Sequence, residues 1–237
     1  GGGAQDVLLT LHAEVFLAFP YLAVALAVSV GLYRYFRDRF SYSSLSSQFL
    51  EKEQLFWGSV PWHYAILLVL TAHLVAALVP GCWAAFLSEP VRLYVVELTG
   101  LALGLTALLG LVVLMARRGG NSRVAVVTTV MDWVLLVALA LQVLGGVLIA
   151  LLYRWGAAWY AQTAAPWLWS LATFRPDMQT IATLPLLVKF HFVNAFVLVA
   201  LFPFTRLVHL ATFPWGYLWR PYQQVIWNRR TRAAESA

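Results

Sequence analysis

The sequence predicts an all-α membrane fold of five transmembrane helices, and three observations carry that prediction. Hydrophobic residues make up 62% of the chain and charged residues only 11%, whereas a soluble domain carries roughly a quarter charged residues. Five apolar stretches each reach the about 20 residues that a helix needs to cross the hydrocarbon core. Lys and Arg gather in alternate connections, which is the asymmetry that sets membrane topology.

The spans are expected at about 10–33, 57–79, 93–115, 125–152 and 184–209, with a tail at 210–237. Residues 1–237 read as a single integral-membrane domain, with no internal repeat or soluble module. The connections are 34–56, 80–92, 116–124 and 153–183. Arg34, Arg37, Arg39 and Lys52 lie in the first, Arg117, Arg118 and Arg123 in the third, and Arg220, Arg229, Arg230 and Arg232 in the tail. Against these eleven, the other side has Arg92, Arg154 and Arg175. The N-terminus is therefore expected outside and the C-terminus in the cytoplasm. The net charge of +6 follows from this topology and does not call for nucleic acid. No signal peptide is expected, because residues 1–11 lack a positive n-region and the apolar run that follows is too long. The single cysteine, Cys82, excludes an internal disulfide, and with no C-x-x-C-H it excludes covalent haem attachment. The leading Gly1-Gly2-Gly3 has no assigned role.

Four of the five histidines fall in two of these spans, one pair in each. They are Trp62-His63-Tyr64 with Ala72-His73-Leu74, and Phe190-His191-Phe192 with Val208-His209-Leu210. An ionisable side chain in lipid is costly and defaults to a functional reading. Two facing helices that each offer two imidazoles can hold two haem irons by bis-histidine ligation in a bundle core. Span two runs outward and span five inward, so antiparallel pairing matches His63 with His209 and His73 with His191. Ten helical residues rise about 15 Å and eighteen about 27 Å, so tilt must absorb the difference. His191 and His209 lie five whole turns apart and would share a face, subject to a kink at Pro203. Two alternatives stand beside ligation. The histidines could be packing or hydrogen-bonding residues, or they could form the proton relay of a haem-free transporter. A relay would want intramembrane carboxylates, and the two histidine-bearing spans have none.

At these residues the chain resembles the cytochrome b (gamma) subunit of membrane-bound respiratory nitrate reductase. The resemblance runs from span one to about Arg230. Its strongest element is Phe202-Pro203-Phe204-Thr205-Arg206-Leu207-Val208-His209, joined by the ten- and eighteen-residue histidine spacings. Ser46-Ser47-Gln48, Arg123 with Thr128-Thr129 and Asp132, and Pro214, Tyr217-Leu218, Arg220 and Tyr222-Gln223 add to it. The resemblance implies a five-helix anchor, a di-haem four-helix-type bundle with two b haems. The haem between His63 and His209 would be proximal to a cytoplasmic iron–sulfur (beta-type) subunit. The haem between His73 and His191 would be distal, beside a quinol site on the outer face. Electrons would pass inward to a molybdenum-containing alpha-type subunit, in the cytoplasmic membrane of a prokaryote. The same fold serves related quinone-linked complexes of sulfur metabolism and nitrite oxidation, so the terminal substrate stays open.

Supporting residues follow from what two haems and a quinol would need. Arg206, three residues before His209, is expected to bind a haem propionate, with Arg34 and Arg117 as weaker candidates. Arg92 lies where the family has a basic quinol-binding residue. Glu89, Glu97, His12 and Glu14 could accept protons, although each can equally be an interfacial residue. Asn194 could be a polar neighbour of His191 or a bridge between helices. Gly100 with Gly104, and Gly145 with Gly146, could serve helix packing or haem contact. Asp132 reads as a cap or an interhelical hydrogen-bond partner. The aromatic segment 153–183 is expected as a partly helical outer cap. The tail, with Trp215, Tyr217, Trp219, Tyr222 and Trp227 among arginines, could dock a partner subunit or lie on the membrane surface.

Overall fold

The computed structural model describes residues 14–38 and 52–211, and every regular element among them is helical. Five helices there are long and apolar enough to cross a membrane. Glu14–Ala18 forms a π turn that leads into α1 (Phe19–Arg37). The long α2 (Glu53–Leu78) is followed by the short α3 (Pro80–Phe86), then by α4 (Pro90–Gly120). The short α5 (Ser122–Val126) turns the chain into α6 (Val130–Leu152). Three short helices, α7 (Gly156–Gln162), α8 (Ala164–Ala172) and α9 (Gln179–Ala182), lead to α10 (Leu186–Leu201). Two 3-10 turns, Phe202–Phe204 and Arg206–Leu210, end the described chain.

The helix ends follow capping and charge rather than hydropathy. α4 and α1 run past the apolar runs to include Arg117, Arg118, Arg34 and Arg37 in their last turns, where cations meet the negative end of the helix dipole. α6 starts five residues later than the hydropathy suggests, because Thr129 and Asp132 form a reciprocal capping box. The fifth span departs most from expectation. Its α-helix stops at Leu201, since Pro203 has no N–H to donate and the chain tightens into 3-10 turns. His209 therefore lies outside the helix that carries His191, and the shared-face argument for that pair does not apply.

α2 packs along α4, α4 against α6, α6 against α10, and α10 against α1. The first contact is the tightest, because Gly58 and Gly110 let the backbones meet. A Cβ on Gly110 would lie 2.8 Å from the Gly58 carbonyl oxygen and 3.0 Å from the Trp62 nitrogen. Trp62, Ala65, Ala107, Leu111, Leu136, Val143 and Val147 fill the interface of α2, α4 and α6. Gly104 also packs, with its Cβ position 3.0 Å from Val147, whereas Gly100 faces open space. Direct packing between the two histidine-bearing helices, α2 and α10, is slight at most.

The segment after α6 caps one end, as the aromatic content predicts. Indole donors tie it down: Trp83 to the Ala157 carbonyl at 2.9 Å, and Trp169 to the Ala77 carbonyl at 2.7 Å. Trp167 is buried against Phe16, Phe192 and Phe196, so α8 bears on the π turn before α1 and on α10. α8 also packs on α2. The opposite end carries Arg34, Arg37, Lys52, Arg117 and Arg118, and is called the basic end below.

Candidate cofactor site

Two histidines far apart in sequence meet near the basic end. The rings of His63 and His209 lie 6.1 Å apart between centroids, at 71° to one another. Each Nδ1–H is already committed. His63 donates to the Ser59 carbonyl at 2.7 Å, one turn back in α2. His209 donates to the Arg206 carbonyl at 2.5 Å within its 3-10 turn. The remaining nitrogen of each ring is then the lone-pair side. Metal-bound imidazoles use this arrangement to fix tautomer and orientation. Two nitrogen–metal bonds of about 2 Å each, with the ring radii added, come close to the observed separation. His73 follows the same rule, donating from Nδ1 to the Val69 carbonyl at 2.8 Å.

His191 differs. It is near enough to His73 to interact with it electrostatically. Its Nε2 accepts from the Gln142 amide at 3.2 Å, and its buried Nδ1 has no hydrogen-bond partner among the described residues. Gly145 and Gly146 make room for the ring: a Cβ on either would lie 3.3 Å from an imidazole atom. Those glycines therefore serve the packing of α6 on α10, at the His191 ring. Asn194 does not touch His191. It donates to the Ala138 carbonyl at 2.9 Å and to Gln142 Oε1 at 2.8 Å, so it bridges α10 to α6 and reaches the imidazole through Gln142. Sequence reasoning missed Gln142. It is a lone amide in the most apolar span, and that isolation was the available signal.

Arg206 makes a two-point ion pair with Asp132. Its Nε donates to Oδ1 at 2.5 Å and its Nη2 to Oδ2 at 3.2 Å. Arg118 approaches the same carboxylate at 3.5 Å. Asp132 is thus both the cap and the interhelical partner that the sequence offered as alternatives. The ion pair is the larger effect: breaking one half of a buried pair costs about 3–5 kcal/mol, against about 1 for a lost cap. Arg34 donates to the Pro203 carbonyl, and Arg117 is buried. Arg34, Thr129, Asp132, Thr205 and Arg206 line a cavity of about 170 Å³ beside this cluster.

At the cap end, the Tyr160 ring stands 5.4 Å from that of His73, and its hydroxyl donates to the His73 carbonyl at 3.4 Å. Burial pushes the Tyr160 phenol above its ordinary range. Glu97 Oε1 accepts the Ala157 N–H at 2.6 Å, which fastens α4 to the cap. Arg92 is exposed, with its guanidinium 5.5 Å over the Phe86 ring, and Glu89 precedes α4. Glu14 starts the π turn. His12, Ser46-Ser47-Gln48, and the tail from Pro214 to Arg232 with its aromatic residues, lie outside the described residues.

The donor set suits a flat, metal-centred group clasped between imidazoles. Among the described residues no three or more His, Cys, Asp or Glu side chains converge as a metal-ion cage would need. Paired histidines across a gap between helices fit a macrocycle that supplies the other ligands itself.

The family model described as "Nitrate reductase gamma subunit" matches residues 12–228. The nitrate reductase gamma chain of Bacillus subtilis is 34% identical over 90% of this chain and 96% of its own length. The respiratory nitrate reductase 1 gamma chain of Escherichia coli is 30% identical over 91% of this chain and 97% of its own. The nitrate reductase-like protein NarX of Mycobacterium tuberculosis is 33% identical over 89% of this chain, which spans 33% of that longer protein. The chain belongs to the nitrate reductase gamma subunit family.

Proposed function

We propose that the chain is the quinol-oxidising membrane anchor of a respiratory nitrate reductase and carries two b-type haems. The observation that bears most weight is the facing pair His63 and His209, 6.1 Å apart with both Nδ1 atoms engaged elsewhere. The names of the Bacillus subtilis and Escherichia coli relatives support the nitrate reductase assignment.

In this reading His63 and His209 hold one haem and His73 and His191 the other. When bound, the two groups would supply one-electron transfer, and these four imidazoles would hold them. Arg206 has five N–H donors, more than one carboxylate accepts, and contributes to holding a propionate. Tyr153–Thr183 lies outside and the basic end faces the cytoplasm. Arg92, at the cap end, polarises the quinol oxygens, and the carboxylates of Glu89 and Glu97 are the near proton acceptors. Quinol is oxidised on the outer side. Its electrons go inward to an iron–sulfur subunit of the beta type and on to a molybdenum-containing alpha-type subunit. The setting is the cytoplasmic membrane of a prokaryote.

The purified full chain tests this. Pyridine haemochrome analysis is expected to give two b haems per chain, and a quinol analogue is expected to reduce them. Colourless material would end the proposal.

A further inference from the structure

We propose that Asp132 is the positioning residue of His209 and acts through Arg206. His209 is carried by the turn Arg206–Leu210, beyond the last residue of α10. His63, His73 and His191 sit within regular helix. The His209 ring takes its direction from the Arg206 carbonyl, 2.5 Å from its Nδ1. Arg206 is in turn fixed by its guanidinium, which Asp132 grips at 2.5 and 3.2 Å. Asp132 is itself held by the backbone: it is 5% exposed, its Oδ2 accepts the Thr129 N–H at 3.0 Å, and its own N–H donates to Thr129 Oγ1 at 3.2 Å. A carboxylate rooted in α6 thus aims, through one arginine, an imidazole that faces His63. Thr205 helps to stiffen the turn by donating to the Leu201 carbonyl at 2.9 Å. The inference rests on the reading that His63 and His209 share a haem, and it adds the residue that sets one ligand's angle.

Three variants of the full chain separate positioning from helix capping. Asp132→Asn keeps the shape and the cap acceptor but removes the charge. Asp132→Glu keeps the charge, and Thr129→Ala disturbs the cap while sparing the ion pair. Low-temperature EPR of the wild type should show two low-spin signals, one of which disappears in His209→Ala. In Asp132→Asn that same signal is expected to shift or to lose at least half its intensity, with the other unchanged. Asp132→Glu should restore most of it, and Thr129→Ala should match the wild type. Two unaltered signals in Asp132→Asn, or an equal change in Thr129→Ala, would overturn the proposal. The haem-free chain supplies an independent arm through the ¹⁵N resonances of His209. Asp132→Asn should abolish the signature of a hydrogen-bonded Nδ1–H there, and an unchanged signature also overturns the proposal. Absence of haem from the wild type would sink the functional reading, while the nitrogen resonances still decide this one.

Discussion

An imidazole in hydrocarbon must satisfy one nitrogen and find a use for the other. His63, His73 and His209 each give Nδ1–H to a backbone carbonyl three or four residues earlier. The bond lies within their own turn, so the sequence alone makes this pattern plausible wherever a histidine interrupts an apolar helix. The four histidines stood out in the sequence as ionisable residues inside apolar spans, and three of them share this bond. Two replacements are expected to behave oppositely. His209→Ala should remove one haem of two and stop electron delivery, whereas Arg92→Ala should retain both haems and lower quinol turnover about tenfold or more. Haem counting alongside quinol-analogue kinetics separates them, and a haem loss in Arg92→Ala would contradict its assignment. Gln142 and the Asp132–Arg206 pair were harder to read. Their partners lie 49 and 74 residues away, and no local period announces such a meeting.

Among the elements, existence was easier to read than extent. Twenty apolar residues demand a helix in lipid because unpaired backbone groups cost several kcal/mol there. The ends obey local chemistry instead, as the Thr129–Asp132 box and the Pro203 break demonstrate. The packing glycines were read only in part: Gly104 packs on Val147, Gly100 meets none of the described residues within 4 Å, and Gly58 and Gly110 form the closest helix contact. They lie on different spans, and no spacing within one helix tells that the two meet. Gly110→Val should force α2 from α4 at a cost of about 1–3 kcal/mol. Thermal unfolding in detergent should record the loss, and an unchanged midpoint would mean that the two helices adjust freely. Gly100→Val, the matched control, should cost little.

For the whole molecule, five helices follow one another in contact as α2, α4, α6, α10 and α1. The order of the spans was legible to the extent that hydropathy dictates it. The neighbour relations were not, since lipid-facing and helix-facing residues are equally apolar in such spans. What joins α2 to α10 is chiefly the cap at one end and the His63–His209 meeting near the other. Ligand that binds the folded state alone raises stability in proportion to the logarithm of its excess over Kd. Haem-depleted chain should therefore unfold at least 5 °C below the loaded chain. Its amide protons in α2 should exchange faster, and those at the α4–α6 contact should change least. Equal melting points would imply that the seam is already closed by protein.

Among the described residues α2 and α10 meet mainly through their neighbours. A haem held between His63 and His209, as proposed, would therefore act as a tie across that side of the bundle, and its insertion would be coupled to the last step of assembly.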